Sequence, residues 1–232
     1  MNRIINKIIF AIKYLYDSFF PIQRDFNLDS AVALGNHGAS FTIGRRFDSD
    51  SIVYSFGVGF DISFDLALIE KYGLTVYAFD PTPGSVAWLK KQKLPRQFIF
   101  SDIGVADYDG QAEFFPPENP DHISHTMISG MKNKKESLFM KVESLSTIMQ
   151  RLDHKEIDLL KMDIEGAEYK VIDDLIKDKL PIRQIAVEFH HRFREFGILK
   201  TRQYVKKLRN AGYKLFYVSL SGEELSFIKD EQ

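Results

Sequence analysis

The stretch that most constrains this chain is Ile157-Asp158-Leu159-Leu160-Lys161-Met162-Asp163-Ile164-Glu165-Gly166-Ala167-Glu168-Tyr169. It opens as a largely apolar run, ends on a carboxylate, and passes through a glycine into a helical pattern. Ala167, Val171, Ile172 and Leu175 mark the buried stripe of that helix. A run of this length bounded by a turn predicts a strand buried on both faces, which belongs in a parallel sheet covered by helices. Gly166 allows a close backbone approach at the turn. The pattern therefore crowds Asp163, Glu165 and Glu168 at the carboxyl end of a central strand, where open α/β sheets hold their ligands. Three acids within six residues are costly unless a cationic or proton-donating group sits among them. The plainer alternative is compensation of the helix N-terminus by acidic residues.

The flanking sequence supplies the rest of such a sheet. Ser51 to Phe56 reads as a strand, followed by Gly57-Val58-Gly59-Phe60-Asp61 and a helix through Tyr72. Strand, glycine turn and helix is how a nucleotide-like cofactor is held against a helix N-terminus. The next strand, Thr75 to Phe79, runs into Asp80 and Pro81, which places the Asp80 carboxylate where it accepts from two ribose hydroxyls. Thr82 and Pro83 open a helix to about Lys93. A third strand, Gln97 to Phe100, ends in Ser101-Asp102-Ile103, and Gln111 to Phe115 follows a turn at Asp107 to Gly110. Leu138 to Val142 and a helix over Ser144 to Leu152 lead into the central motif. Ile182 to Phe189 is another buried strand, and it brings Glu188, His190 and His191 to the same sheet edge. A helix over Leu199 to Asn210 ends at Gly212, and Tyr213 to Ser219 and Leu225 to Lys229 alternate as an antiparallel hairpin. Between Arg24 and Asp50, Gly35-Asn36-His37-Gly38 is a turn with short strands on either side, covering one edge of the pocket; His37 reads as a loop residue. The expected fold is α/β, with a mostly parallel sheet, helices on both faces and a terminal hairpin.

The motif from Asp158 to Glu168 resembles the most distinctive motif of the FkbM-type methyltransferases, which are S-adenosylmethionine-dependent O-methyltransferases; the resemblance runs from about Ile52 to about His190. It implies a class I methyltransferase (Rossmann-like) sheet of seven strands. It also implies that Ser55, Gly57, Gly59, Asp61, Asp80, Pro81, Ser101, Asp102, Ile103 and Asp163 form the cofactor site. In that arrangement Asp102 accepts from the adenine amino group and Ile103 stacks on the ring. The family pattern begins the first loop with an acid where this chain has Ser55, and usually has a further glycine near Asp61. Asp61 is thus the candidate to stand near the methionine ammonium.

An alcohol needs a base as its oxygen attacks. His190 and Asp163 are the candidates, with His190 favoured because histidine titrates near neutral pH. Glu188 would orient that histidine or bind substrate, with Glu165 close by. In a second scheme Asp163, Glu188 and Glu165 hold Mg²⁺, which acidifies a coordinated hydroxyl. His122, His125 and His191 are candidates to meet substrate. The turn after the motif strand is Asp163-Ile164-Glu165-Gly166 rather than the Asn/Asp-Pro-Pro-aromatic turn common in nitrogen methylation, which points to oxygen as acceptor. The FkbM resemblance implies natural-product or glycan hydroxyls as substrates, and the expected reaction is methylation of a sugar hydroxyl, on a glycan or nucleotide sugar of bacterial surface polysaccharide biosynthesis. Two alternatives are a methyltransferase of a non-sugar natural product and a nicotinamide-dependent oxidoreductase. The latter would share Gly57, Gly59 and Asp80 but leaves the acids at Asp163 unexplained.

Composition narrows the classes further. A net charge of −1 over 232 residues gives no nucleic-acid footprint. With no cysteine, disulfides, zinc–thiolate sites and cysteine nucleophiles are excluded. Twenty Phe and ten Tyr suit a core and the walls of a small-molecule pocket. Residues 1–50 are expected to form an amphipathic helix (Met1 to Phe20) and a covering segment, and 51–232 the methyltransferase domain, with 116–137 as a substrate lid. Lysines interrupt the N-terminal run, so no membrane span is expected, and no small-residue cleavage site follows it. That helix would pack on its own domain, on the partner of a homodimer, or on the inner face of a membrane, with the protein cytoplasmic. The lysine-rich run ending at Lys135 is either a solvated face or a site for a phosphate-bearing substrate.

Overall fold

The computed structural model describes residues 21–36, 39–44, 47–116, 125–128, 137–193 and 195–229. The expected helix over 1–20, His37, His122 and the lysine-rich run to Lys135 lie outside them. A short antiparallel pair, β1 (Val32–Leu34) and β2 (Phe41–Ile43), comes first. The chain then runs β3 (Ile52–Phe56), α1 (Ser63–Tyr72), β4 (Thr75–Phe79), α2 (Pro83–Leu89) and β5 (Phe98–Ser101). An appended group follows: β6 (Gly104–Ala106), β7 (Gly110–Phe114), β8 (Leu138–Ser144) and α3 (Leu145–Arg151). The remainder is β9 (Ile157–Met162), α4 (Glu168–Lys177), β10 (Ile182–Glu188), α5 (Ile198–Asn210), β11 (Tyr213–Val218) and β12 (Glu224–Lys229).

Seven strands form the main sheet in the order β11-β12-β10-β9-β3-β4-β5. Every pairing from β10 to β5 is parallel, and β12 is antiparallel to both β10 and β11. This is the class I methyltransferase order that the sequence implied. The chain winds outward from β3 toward β5 and from β9 toward β11, so the switch point lies between β3 and β9, where a crevice opens at the carboxyl ends.

β9 is buried at all six positions, as its unbroken apolar run requires. Tyr54, Phe56, Leu160 and Met162 face one core with α3, α4 and α5, while Val53, Leu159 and Ala186 face another with α1 and β2. Val171, Ile172 and Leu175 of α4 are each 2% exposed or less, and burial of side chains of this size contributes about 1.5–3 kcal/mol apiece. Local signals set the element ends. Ser144 accepts from the Thr147 N–H at the start of α3, and α1 stops at Gly73 in the left-handed conformation. α2 ends at Leu89, four residues before the expected Lys93: the Lys91 and Gln92 N–H groups bond three residues back, a tightened last turn, and Pro95 follows. The appended strands make a separate sheet, β6-β8-β7, that the sequence reading did not anticipate, since β6 has only three residues. No described helix is long and apolar enough to cross a membrane.

The tightest backbone approach joins the two central strands. Gly57 has φ +80°, and a Cβ there would lie 1.7 Å from the Asp163 carbonyl oxygen. Gly59, at φ +57°, has nothing within 4 Å of the corresponding position. Gly57→Ala is expected to lower the unfolding free energy by roughly 2–4 kcal/mol, backbone strain plus overpacking, and Gly59→Ala by about 1 kcal/mol. Urea denaturation of both variants checks this; equal costs would show that the collision is not what matters at Gly57.

Candidate active site

The crevice holds a cavity of about 230 Å³, bounded by the loops after β3, β4 and β9. The β3 loop is fastened from both sides, by Gly57 N–H to Phe79 O at 3.0 Å and by Asp163 N–H to Phe56 O at 3.1 Å. Asp80, 5% exposed, accepts from Gly59 N–H at 2.9 Å on Oδ2, and from Thr82 N–H at 2.9 Å and Thr82 Oγ1 at 2.6 Å on Oδ1. It thus ties the glycine loop to the start of α2 while remaining on the cavity wall.

Gly57, Gly59, Asp61, Asp80, Pro81 and Asp163 line this cavity, as do Glu165 and His125. Ser55 is fully buried behind it. Ser101, Asp102 and Ile103 are not on the wall; Gly104 and Val105 stand there instead. Gly104 is closely packed there, with Pro81 3.2 Å from where its Cβ would sit. Asp61 is exposed and accepts from the Ser63 N–H at 2.7 Å, at the entry to α1. The sequence reading missed two wall residues that carry charge, Asp65 from α1 and Lys161 from β9.

Beside the cavity the acids of the central motif gather around one histidine. Glu165 has φ +53°, a conformation that is strained for a residue with a side chain. Its carbonyl accepts from Thr126 Oγ1 at 2.5 Å. A Cβ on Gly166 would sit 2.7 Å from the Phe196 ring, so the turn needs glycine. Glu168, with no exposed surface, accepts on Oε1 from Ile164 N–H at 3.0 Å, Gly166 N–H at 3.2 Å and His190 Nδ1 at 2.9 Å. The other ring nitrogen, Nε2, faces Asp163 Oδ1 at 3.6 Å and Glu165 Oε2 at 3.5 Å. Lys161 Nζ lies 4.0 Å from Asp163 Oδ2.

This cage decides the charge of His190. Burial alone would push the imidazole below its ordinary value, but Glu168, Glu165 and Asp163 outweigh it and hold the pKa well above 6.5. The three acids therefore favour the imidazolium, the form that cannot take a proton, where the sequence reading expected a histidine of ordinary value. Glu188 is pushed up to about 8, by burial first and the Asp163 charge second, with His190 opposing. The carboxylate bonded to His190 belongs to Glu168, not to Glu188. His191, expected to meet substrate, is 1% exposed and is not on the cavity wall.

The raised pKa values fix a sign. His190 contributes stability that is fully present below the unfolded value of about 6.5 and is lost as pH rises through its folded value. Glu188 acts in the same direction, because between 4.5 and about 8 only the folded state holds its proton. The melting temperature is expected to fall from about pH 6.5 upward, and His190→Gln is expected to flatten that fall. A melting temperature that climbs through this interval in differential scanning calorimetry would contradict the charged cage.

The chain is similar to several known proteins. Two curated relatives, each named a probable methyltransferase-like protein 24, from Rattus norvegicus and Homo sapiens, are 26% identical over 190 residues, covering 77% of this chain. The chain spans about half the length of these relatives, 46%. Among solved structures, a Methanococcus jannaschii fibrillarin pre-rRNA processing protein superposes with a TM-score of 0.48 at 11% identity, covering 93% of each chain. An Aeropyrum pernix fibrillarin in complex with S-adenosyl-L-methionine gives 0.41 at 10% identity, covering 90% of this chain and 84% of its own. The methyltransferase FkbM domain matches residues 49–215, from just before β3 into β11, and so takes in the glycine loop, the acid cage and His190. This chain belongs to the FkbM methyltransferase family.

Proposed function

We propose that this protein transfers a methyl group from S-adenosylmethionine to a sugar hydroxyl, with Asp163 as the group that accepts the hydroxyl proton. The observation that carries the reading is the placement of Asp163: it lies at the end of the central strand, on the cavity wall and partly open, beside Gly57 and Gly59, which present no side chain to a ligand. Asp80 stands where a ribose diol would donate, and the open space beside Gly59 lets a cofactor approach the backbone. These features suit S-adenosylmethionine, which when bound supplies an electrophilic methyl group. The chain's own contribution is alignment, worth about 7–11 kcal/mol in well-oriented systems, and removal of a proton. Asp163 and Glu165 both accept hydrogen bonds and present neighbouring acceptors to a polyhydroxyl compound. His190, protonated behind them, keeps the two carboxylates from repelling each other. A sugar acceptor, free or nucleotide-linked, follows from that acceptor pair together with the family's implied substrates.

A divalent cation is the second reading, favoured by one observation. Asp163, Glu165 and His190 each offer a ligand atom, all within 4.8 Å of one another. Glu188 is not in that group. Two carboxylates and an imidazole suit manganese or zinc better than magnesium, which prefers oxygen ligands and water. Here Glu168 would orient His190 for the metal.

Asp163→Asn is expected to lower turnover by about 10²- to 10⁴-fold, measured as methyl transfer to a panel of saccharides and nucleotide sugars, while S-adenosylhomocysteine binding stays nearly unchanged. Equal loss of binding and turnover would remove Asp163 from the proton transfer. Binding of NAD⁺ in place of S-adenosylmethionine would overturn the reading altogether. Loss of turnover on chelator dialysis, restored by manganese, would support the second reading; turnover indifferent to chelator would dismiss it.

A further inference from the structure

The appended sheet β6-β8-β7 reaches the site through one short segment, residues 125–128. Met127 packs on the small core that Phe114, Met140 and Val142 build in that sheet. Phe114, His125 and Met127 in turn share the cavity wall with the glycine loop and the acid turn. Between the two wall residues of the segment stands Thr126, 2% exposed. Its backbone bonds twice to Phe115, donating to the Phe115 carbonyl at 3.0 Å and accepting from the Phe115 N–H at 2.8 Å. Its hydroxyl works in both directions, donating to Glu165 O at 2.5 Å and accepting from Ile128 N–H at 3.1 Å. Glu165 is the strained member of the acid turn, at φ +53°. Its carboxylate stands 3.5 Å from His190 Nε2. Ile128 closes on the same turn, 3.1 Å from where a Gly166 Cβ would sit. A hydroxyl that only satisfied a buried carbonyl would serve stability alone. This one joins two parts of the wall, His125 and Met127 on its own segment and Asp163 and Glu165 on the turn.

We propose that Thr126 is a positioning residue for methyl transfer that acts through Glu165: its hydroxyl fixes the acid turn against the segment carrying His125 and Met127, and so sets where the acceptor is held. The inference rests on the acceptor reading above and adds a residue that touches neither cofactor nor acceptor. Thr126 takes no part in the proton transfer, which stays with Asp163. Released from Thr126, the Glu165 backbone relaxes toward an ordinary conformation, and its carboxylate leaves the place where it accepts from the acceptor. Small displacements of a group that orients a reactant are costly to the reaction. The bonds of Thr126 run to Phe115, Ile128 and Glu165, whereas Asp80 ties Gly59 to Thr82 on the cofactor side. Cofactor affinity is therefore independent of Thr126.

Steady-state kinetics of Thr126→Val and Thr126→Ser, alone and combined with Glu165→Gln, test this on the panel saccharide or nucleotide sugar that the wild type methylates fastest. Thr126→Val keeps the branched shape and removes the hydroxyl. It is expected to raise the acceptor KM about tenfold, with S-adenosylhomocysteine affinity within about twofold of the wild type. Retained S-adenosylhomocysteine binding shows at the same time that the variant is folded. Thr126→Ser, which keeps the hydroxyl, is expected to bring the KM back to within about threefold of the wild type. In the Glu165→Gln background, Thr126→Val is expected to add little to the acceptor KM while lowering the melting temperature as much as before. A purely structural hydroxyl would not show that dependence on Glu165. An unchanged KM in Thr126→Val, no rescue by serine, KM losses that multiply in the double variant, or S-adenosylhomocysteine affinity lost in step with KM overturns the role of Thr126 and leaves the functional reading standing. A wild type that methylates no member of the panel overturns the functional reading and the role of Thr126 with it.

Discussion

The Glu168–His190 contact is the interaction on which the rest of the site depends. A carboxylate with no exposed surface is tolerable in a protein interior only when donors and a countercharge surround it. Glu168 has two backbone N–H groups from the turn after β9 and the imidazolium from the end of β10. One buried acid thereby pins the turn that presents Asp163 and Glu165, and it also sets the orientation of His190. Its place in the first turn of α4 adds favourable alignment with the helix dipole. The plain and the functional readings of these acids are therefore the same fact: a residue that stabilises a helix start also holds the charge at the site.

On the other side of Asp163 the problem is solved differently. Lys161 is as buried as His190, but its ammonium is held mainly by carbonyl oxygens at the end of β3, with Asp163 Oδ2 4.0 Å away. The aromatic face of Phe41 lies 5.2 Å from it. Burial pushes the Asp65 carboxyl upward, and Lys161 and Ser55 only partly offset this. The His190 cage satisfies Nδ1 with Glu168 and sets Nε2 against two acids, and in both places one oxygen of a buried carboxyl group, Glu168 Oε2 or Asp65 Oδ1, makes no hydrogen bond among the described residues.

Much of this was legible because strands and helices write their periods into the chain. The unbroken apolar run of β9, the stripe Val171, Ile172 and Leu175, and the capping glycines after α1 and α5 each specify one local structure, and the strand order follows from their alternation. Asp80 and Asp163 were legible as wall residues because each directly follows a strand, and Glu165 because it sits in the turn after β9. What stayed hidden depends on contacts across the sequence. Nothing in the motif says that the histidine 22 residues after Glu168 will bond to it, or that this bond will keep the ring charged. Asp65 reads in sequence as an ordinary first-turn acid, since only the register of α1 over β3 shows that it faces Ser55. That Asp102 and Ile103 stand off the wall while Gly104 and Val105 are on it depends on β6, whose three residues are too short a pattern to be seen.

The wall has a net electrostatic preference that follows from its composition. Asp61, Asp65, Asp80, Asp163 and Glu165 face the cavity with Lys161 as the one ammonium among the described lining residues. A surplus of carboxyl groups around a cavity of about 230 Å³ favours a cationic ligand over a neutral one of the same shape, because Coulomb interactions gain strength as water is excluded. On the proposed reaction the ligand enters as a sulfonium and leaves as a thioether, so the wall loses one attraction with each turnover. The charge arrangement would then hold the methyl donor more firmly than its spent product. His190 tempers the effect from behind, cancelling part of the Asp163 and Glu165 charge without occupying the cavity itself.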